Sequence, residues 1–219
     1  MYELPSNCQV DNLSKIYKKY FGYPSKGYFV EVGAYDGESF SNTSCLADMG
    51  WGGLYIEPIY EHYEKCLKRH KNNDVTVANV SIGLEEGEMT IYRAGLLTTL
   101  DKGQLSRYKE IDWSKNYQFV EDVCDQMRLD TLMNKLEVPK NFDVLVVDVE
   151  GKESEVFQTF DLREWNPKIV IVELEDEHPS FQNYPEYVNE MIKLRKYINN
   201  QGYIEISKNQ WNTVFVYDK

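Results

Sequence analysis

The sequence predicts an α/β fold in which a doubly wound, mostly parallel sheet ends in an antiparallel hairpin. Three observations lead there. Short β-rich runs alternate with helical patterns from residue 28 to residue 83, as in a parallel sheet with helices packed on its faces. Two later runs, "FDVLVVDVEG" and "PKIVIVELED", are apolar on both faces, as in strands covered from both sides. The final stretch, "YIEISKNQWNTVFVYD", holds two alternating runs joined by a polar turn, a hairpin pattern. With 219 residues, 42% hydrophobic and 27% charged, the chain has the size and composition of one domain spanning 1–219.

The elements follow in order. Leu13, Ile16, Tyr17 and Tyr20 are helically spaced, so a helix is expected over 10–21, broken by "GYPSKG". "YFVEV" is the first strand, and "SFSNTSCLADMG" reads as a helix starting near Ser39 or Ser41 and stopping at Gly50. "GGLYIEP" is a strand ended by Pro58; "YEHYEKCLKRH" is a helix; "DVTVANVSIG" and "EEGEMTIYRA" have strand character. From Gly95 to Gln126 no period is sustained, and a loop of that length in a compact domain is usually functional; it is expected to cover the substrate. "RLDTLMNKLEVP" is a short helix, "KESEVFQTFDLREW" another, and "PEYVNEMIKLRKYINNQG" a long amphipathic one closed by Gly202.

A net charge of −12 opposes a phosphate backbone, so nucleic acid is not an expected partner. The basic run "KCLKRHK" reads as the solvated last turn of a helix. No apolar run approaches the roughly 20 residues of a membrane span. "MYELPSNCQV" has neither a basic region nor an apolar core, so a cytoplasmic location is expected. Cys8, Cys45, Cys66 and Cys124 form no CxxC pair and have no His at metal-ligand spacing; they are expected to be reduced thiols.

In a doubly wound sheet the ligand lies beyond the carboxyl ends of the strands, nearest the first strand-to-helix turn. Gly33 and Gly37 fall on that turn, in "GAYDG". A pyrophosphate-binding fingerprint would place its second glycine where Tyr35 stands, and no Gly-Lys-Ser/Thr run is present. Glu31 and Asp36 make the turn acidic, which favours a ligand with positive charge. Glu57, 24 residues beyond Gly33, can accept hydrogen bonds from both ribose hydroxyls of a nucleoside. A nucleoside with a cationic tail describes S-adenosylmethionine.

Taken together, "FVEVGAYDGESFSNT", "GWGGLYIEP", "LDTL" and "VVDVEGKE" resemble the FkbM family of S-adenosylmethionine-dependent methyltransferases, over nearly the whole chain from about Tyr28 to the hairpin. The resemblance implies the Rossmann-like class I methyltransferase fold, with a seven-stranded sheet. It implies that Glu31, Gly33, Asp36 and Gly37 surround the methionine portion of the cofactor, with Asn42 beside the same turn and Glu57 on the ribose. The family often has Asn where Tyr35 stands, and often an acidic residue where this chain has "VSIG", so adenine falls to Ser81 or to backbone groups. It also implies O-methylation of a sugar, glycan-linked or other small-molecule hydroxyl.

An alcohol needs help to lose its proton, from a general base or from a cation that acidifies it. Asp148 and Glu150 end one buried strand and Glu173 and Glu175 the next. Asp148, Glu150 and Glu173 are candidate catalytic carboxylates, with His178 as the alternative base. Asp148 and Glu173 are candidate ligands for Mg2+ or another hard cation. His62 and His70 lie on a helical face and are expected to be non-catalytic. Tyr108, Trp113, Tyr117 and Phe119 either stack on a sugar face or anchor the covering segment, anchoring being the simpler role. Two further readings are a nicotinamide-dependent oxidoreductase, against which Tyr35 and the acidic turn count, and an inactive ligand-binding module on the same fold.

Overall fold

The computed structural model describes residues 10–22 and 26–218. Cys8, the rest of the amino-terminal decapeptide before Val10, and residues 23–25 of the helix-breaking stretch lie outside the described residues. The chain forms α1 (Leu13–Phe21), β1 (Tyr28–Val32), α2 (Ser44–Asp48), β2 (Gly52–Ile56), α3 (Tyr60–Arg69), β3 (Val75–Ala78), β4 (Ser81–Ile82) and β5 (Gly87–Arg93). There follow α4 (Lys102–Glu110), β6 (Val120–Met127), α5 (Leu129–Lys135), β7 (Val144–Val147), α6 (Glu153–Val156) and α7 (Leu162–Trp165). The last elements are β8 (Ile169–Glu173), α8 (Pro185–Asn200), β9 (Tyr203–Lys208) and β10 (Asn212–Tyr217).

Seven strands form one sheet in the order β3-β2-β1-β7-β8-β10-β9. The first five are parallel; β10 pairs antiparallel with both β8 and β9. Buried residues of β1, β7 and β8 alternate between two cores. Val30, Leu145 and Val170 meet α5 and α8 on one side, and Phe29, Val144 and Ile169 meet α1 and α2 on the other. A strand buried on both faces cannot be polar on either, which is why these runs are continuously apolar. The strand order reverses between β1 and β7, and that switch point opens a crevice at their carboxyl ends.

Several boundaries differ from the sequence expectation. The second helix begins at Ser44 rather than near Ser39 or Ser41, because the Ser41 hydroxyl accepts the Thr43 and Ser44 N–H groups and Ser39 is tied to Asp36. The stretch 153–165 is two short helices; Asp161 caps the second by accepting the Arg163 and Glu164 N–H groups, and an N-cap restarts a helix. The segment 95–126 is not an irregular loop. It contains a helical turn at Gly95–Leu97, all of α4, and most of β6. β6 pairs with β4 and β5 in a second, three-stranded sheet. Its exposed Val120 and Val123 break the inside–outside alternation on which strand recognition rests.

Candidate active site

The cavity at the switch point has a volume of about 530 Å3, inside the roughly 300–1,000 Å3 typical of small-ligand sites. Its first wall is the loop after β1. Gly33 has a φ of 89°, and a Cβ there would lie 1.7 Å from the Asp148 carbonyl oxygen. Only glycine lets the β1 loop cross the end of β7 at this separation. Gly37, with a φ of 74°, packs instead on α3: its carbonyl oxygen lies 2.7 Å from His70 Nε2, and a Cβ would meet Cys66 and the His70 ring. Cys45, Cys66 and Cys124 are buried, and no disulfide joins them to one another.

Glu31, on β1, faces the cavity and is buried. It accepts hydrogen bonds from the Ser41 hydroxyl at 2.8 Å, the Asn42 N–H at 3.1 Å and the Thr43 hydroxyl. Burial nevertheless pushes its carboxyl up to about 7, the three donors opposing that rise. Asn42 lines the cavity and is pinned by the Tyr17 hydroxyl on its carbonyl. Glu57, directly after β2, accepts the Tyr35 N–H at 2.9 Å and the Ile59 N–H at 2.8 Å, and so ties the first two loops together. Burial raises it, too, to about 7. A carboxylate has about four acceptor positions, so Glu57 retains capacity for a ligand's hydroxyls.

Asp36 turns away from the cavity wall. It accepts the Ser39 and Glu38 N–H groups and the Ser39 hydroxyl; burial raises its pKa, but these donors outweigh that and hold it below the usual carboxylate range. Ser81 lines the cavity beside Val80 and Ile82, its hydroxyl donating to the Asp125 carbonyl. His62, expected to be non-catalytic, lines the cavity, with its ring 4.2 Å from that of Tyr35 and Nδ1 3.8 Å from Glu57. The available signal was its position on the first turn of α3, five residues after Glu57.

The opposite wall is acidic. Asp148, Glu150 and Glu173 each offer an oxygen within 4.8 Å of the others. Burial, then the charge of Asp148, lifts Glu150 and Glu173 well above the usual range. Glu150 has a φ of 57° and accepts the Tyr108 hydroxyl on its carboxylate and the Thr99 hydroxyl, at 2.7 Å, on its carbonyl. Glu175 lies behind, outside the cavity wall, accepting the Tyr187 hydroxyl at 2.6 Å and the Gln104 amide at 3.3 Å. His178 also lies outside it: its Nδ1 accepts the Ser180 N–H, and its ring packs 4.0 Å from Trp211. That histidine caps a turn.

The four aromatic residues of the segment 95–126 divide. Tyr108 is buried and stacks with Phe119, anchoring the segment. Trp113 and Tyr117 are exposed along the cavity, Trp113 standing edge-on to Trp211.

A family model for the methyltransferase FkbM domain matches residues 31–205. The chain belongs to the FkbM methyltransferase family. Among solved structures the fold is similar to that of a Klebsiella pneumoniae protein assigned as an O-methyltransferase, with 12% identity, a TM-score of 0.54, and coverage of 99% of this chain and 84% of that one. It is similar as well to the O-methyltransferase from Bacillus cereus in complex with SAH, with 14% identity, a TM-score of 0.51 and coverage of 97% and 84%. A third likeness is cofactor-bound Rv0187 from MTB, with 13% identity, a TM-score of 0.53 and coverage of 98% and 84%. These likenesses establish the fold; no curated protein sequence matches the chain. Among the described residues no helix is long and apolar enough to cross a membrane.

Proposed function

We propose that this FkbM methyltransferase uses S-adenosylmethionine to methylate a hydroxyl oxygen on a sugar, a glycan-linked unit or a similar small acceptor. The observation that carries the reading is one cavity with two chemically different ends: Gly33, Asn42 and Glu57 at one, Asp148, Glu150 and Glu173 at the other. The residues present fit the cofactor. Gly33 lets the end of β7 close against the β1 loop at the cavity wall, and Glu57 is a second-strand carboxylate with free acceptor positions. Tyr35, with a φ of 50° and its ring on His62, occupies the place where a pyrophosphate would need glycine, which disfavours a nicotinamide cofactor.

When bound, S-adenosylmethionine supplies a methyl carbon on a positively charged sulfur that leaves as a neutral thioether. The chain's part is to hold the acceptor oxygen in line with that carbon and to receive its proton. Glu31 and Asn42 stiffen the loop that would carry the methionine portion. Glu57 takes the ribose hydroxyls, and Val80, Ser81 and Ile82 form the wall for the adenine. With no cation bound, Glu173 or Glu150 receives the hydroxyl proton as the new carbon–oxygen bond forms. A hard divalent cation such as Mg2+ beside Asp148 and Glu173 would acidify the same hydroxyl and belongs to this reading. Trp113 and Tyr117 present flat apolar faces suited to a sugar ring. Among the described residues Lys152 is the only Lys or Arg in the cavity wall and is held by Glu155, which favours an uncharged acceptor.

Calorimetric titration with S-adenosylhomocysteine tests the reading. Saturable binding is expected, weakened at least tenfold in Glu57→Ala and absent for NAD. Mass-spectrometric detection of a methyl group on one of a panel of hydroxylated acceptors would complete the case. A folded protein that ignores S-adenosylhomocysteine would overturn it, and binding without transfer to any acceptor would point to the inactive module.

A further inference from the structure

The acidic residues beyond β7 and β8 differ in how well they are satisfied. Glu153 accepts the Val149 and Gly151 N–H groups, Glu175 the Tyr187 hydroxyl and Gln104 amide, and Glu150 the Tyr108 hydroxyl. Glu173, the last residue of β8, is buried and accepts from no donor among the described residues. Its Oε2 is sealed from solvent without a partner. An acceptor-only group in that position is costly unless it is neutralised or met by a cation. Among the described residues no side chain supplies such a cation: Lys152 is engaged by Glu155, and Arg107 by Asp101 and Gln104.

We propose that Asp148, Glu150 and Glu173 bind one hard divalent cation at the acceptor end of the cavity. The site stands on their geometry; its role in acidifying the acceptor hydroxyl rests on the function proposed above. An all-oxygen donor set selects Mg2+ or Mn2+ over softer metals. Oxygens about 2.1 Å from Mg2+ stand about 3.0 Å apart when adjacent and about 4.2 Å when opposite. Groups already within 4.8 Å of one another therefore need only small side-chain rotations. The positions left over fall to water and to the acceptor oxygen, since all three residues line the cavity.

Glu150 makes this site part of the covering segment. Thr99 holds its carbonyl and Tyr108 its carboxylate, and both belong to residues 95–126. Tyr108 is thus a positioning residue: its hydroxyl aims the Glu150 carboxylate at the other two. Where the sequence expectation placed a cation on Asp148 and Glu173 alone, Glu150 joins them as a third ligand.

The test is a titration of EDTA-treated full-length protein with MnCl2, following free Mn2+ by electron paramagnetic resonance, with S-adenosylhomocysteine calorimetry on the same sample. One saturable Mn2+ per chain is expected, displaced by Mg2+. Glu173→Gln and Glu150→Gln should each weaken it at least tenfold. Tyr108→Phe should weaken it a few-fold while leaving S-adenosylhomocysteine affinity unchanged. Protein that binds S-adenosylhomocysteine but no Mn2+ would overturn the cation site and leave the methyltransferase reading standing; so would Mn2+ binding indifferent to Glu173→Gln. Folded protein that binds neither would overturn both.

Discussion

The two ends of the cavity carry buried carboxylates of the same chemical type in opposite states of satisfaction. At the β1 and β2 end, Glu31 accepts from three donors of residues 41–43 and Glu57 from two backbone N–H groups, so both carboxylates build the loops around them. At the β7 and β8 end, Glu173 has no donor at all among the described residues. Residue type and burial are alike; the donor count separates a group that organises the fold from one left open to a ligand. The two ends meet where the Gly33 loop crosses Asp148. Gly33→Ala would drive a Cβ into a backbone carbonyl that no rotamer change can relieve. A loss of at least ~3 kcal/mol is expected, with Tm falling by about 6–12 °C and S-adenosylhomocysteine binding lost in calorimetry.

The organised end should also govern part of the pH dependence of stability. Glu31 and Glu57 each sit at about 7 in the folded protein against an ordinary 4.5. Between those values the folded chain holds protons that the unfolded chain has released. Their contribution is therefore full below pH 4.5 and falls as pH rises towards 7, by up to about 1.4 kcal/mol per pH unit for each group. Thermal denaturation should give a lower Tm at pH 7.5 than at pH 5.5, and Glu57→Gln should remove part of that decline. An undiminished decline in the variant would mean that the two N–H donors outweigh burial and that Glu57 ionises normally.

A paired substitution sharpens the contrast. Glu31→Gln turns an amide NH2 towards groups that are themselves donors, and should cost about 1–3 kcal/mol. Glu173→Gln removes no hydrogen bond and relieves repulsion from Asp148 and Glu150, so Tm should hold or rise by a few degrees while methyl transfer falls. Equal losses of stability in the two variants would erase the distinction between the ends.

The parts of the site visible in the sequence were those written in local patterns. The Gly33 turn, Glu57 after the second strand, and the acidic ends of "VVDVEG" and "VIVELED" each follow an apolar run that fixes their place at a strand's carboxyl end. What the sequence hid depends on contacts between distant residues. That Asp36 serves its own turn is decided by the Ser39 and Glu38 N–H groups, and that Tyr108 reaches Glu150 by how a helix 42 residues earlier folds back. β6 escapes the sequence pattern for a physical reason: it pairs along its length in a small sheet and leaves Val120 and Val123 exposed, so its hydrophobic pattern carries no face. A mostly parallel sheet with an antiparallel end needed only the apolar runs and the final hairpin; the order of its seven strands is set by pairings between distant residues.

The smallest expected effect lies at the rim, where neither end of the cavity is disturbed. Tyr117 is half exposed, lines the cavity and takes part in no ring stacking among the described residues, whereas Tyr108 is buried against Phe119, Trp113 and Phe181. Truncating Tyr117 to Ala removes little buried surface, so Tm should change by no more than about 1–2 °C. If its ring meets the acceptor, KM for that acceptor should rise several-fold while kcat and S-adenosylhomocysteine affinity stay as they were, the pattern of a group that binds ground state and transition state equally. A fall in kcat instead would mean that the rim helps to align the reacting oxygen. The division of labour would then run through the covering segment as well as between the two rows of carboxylates.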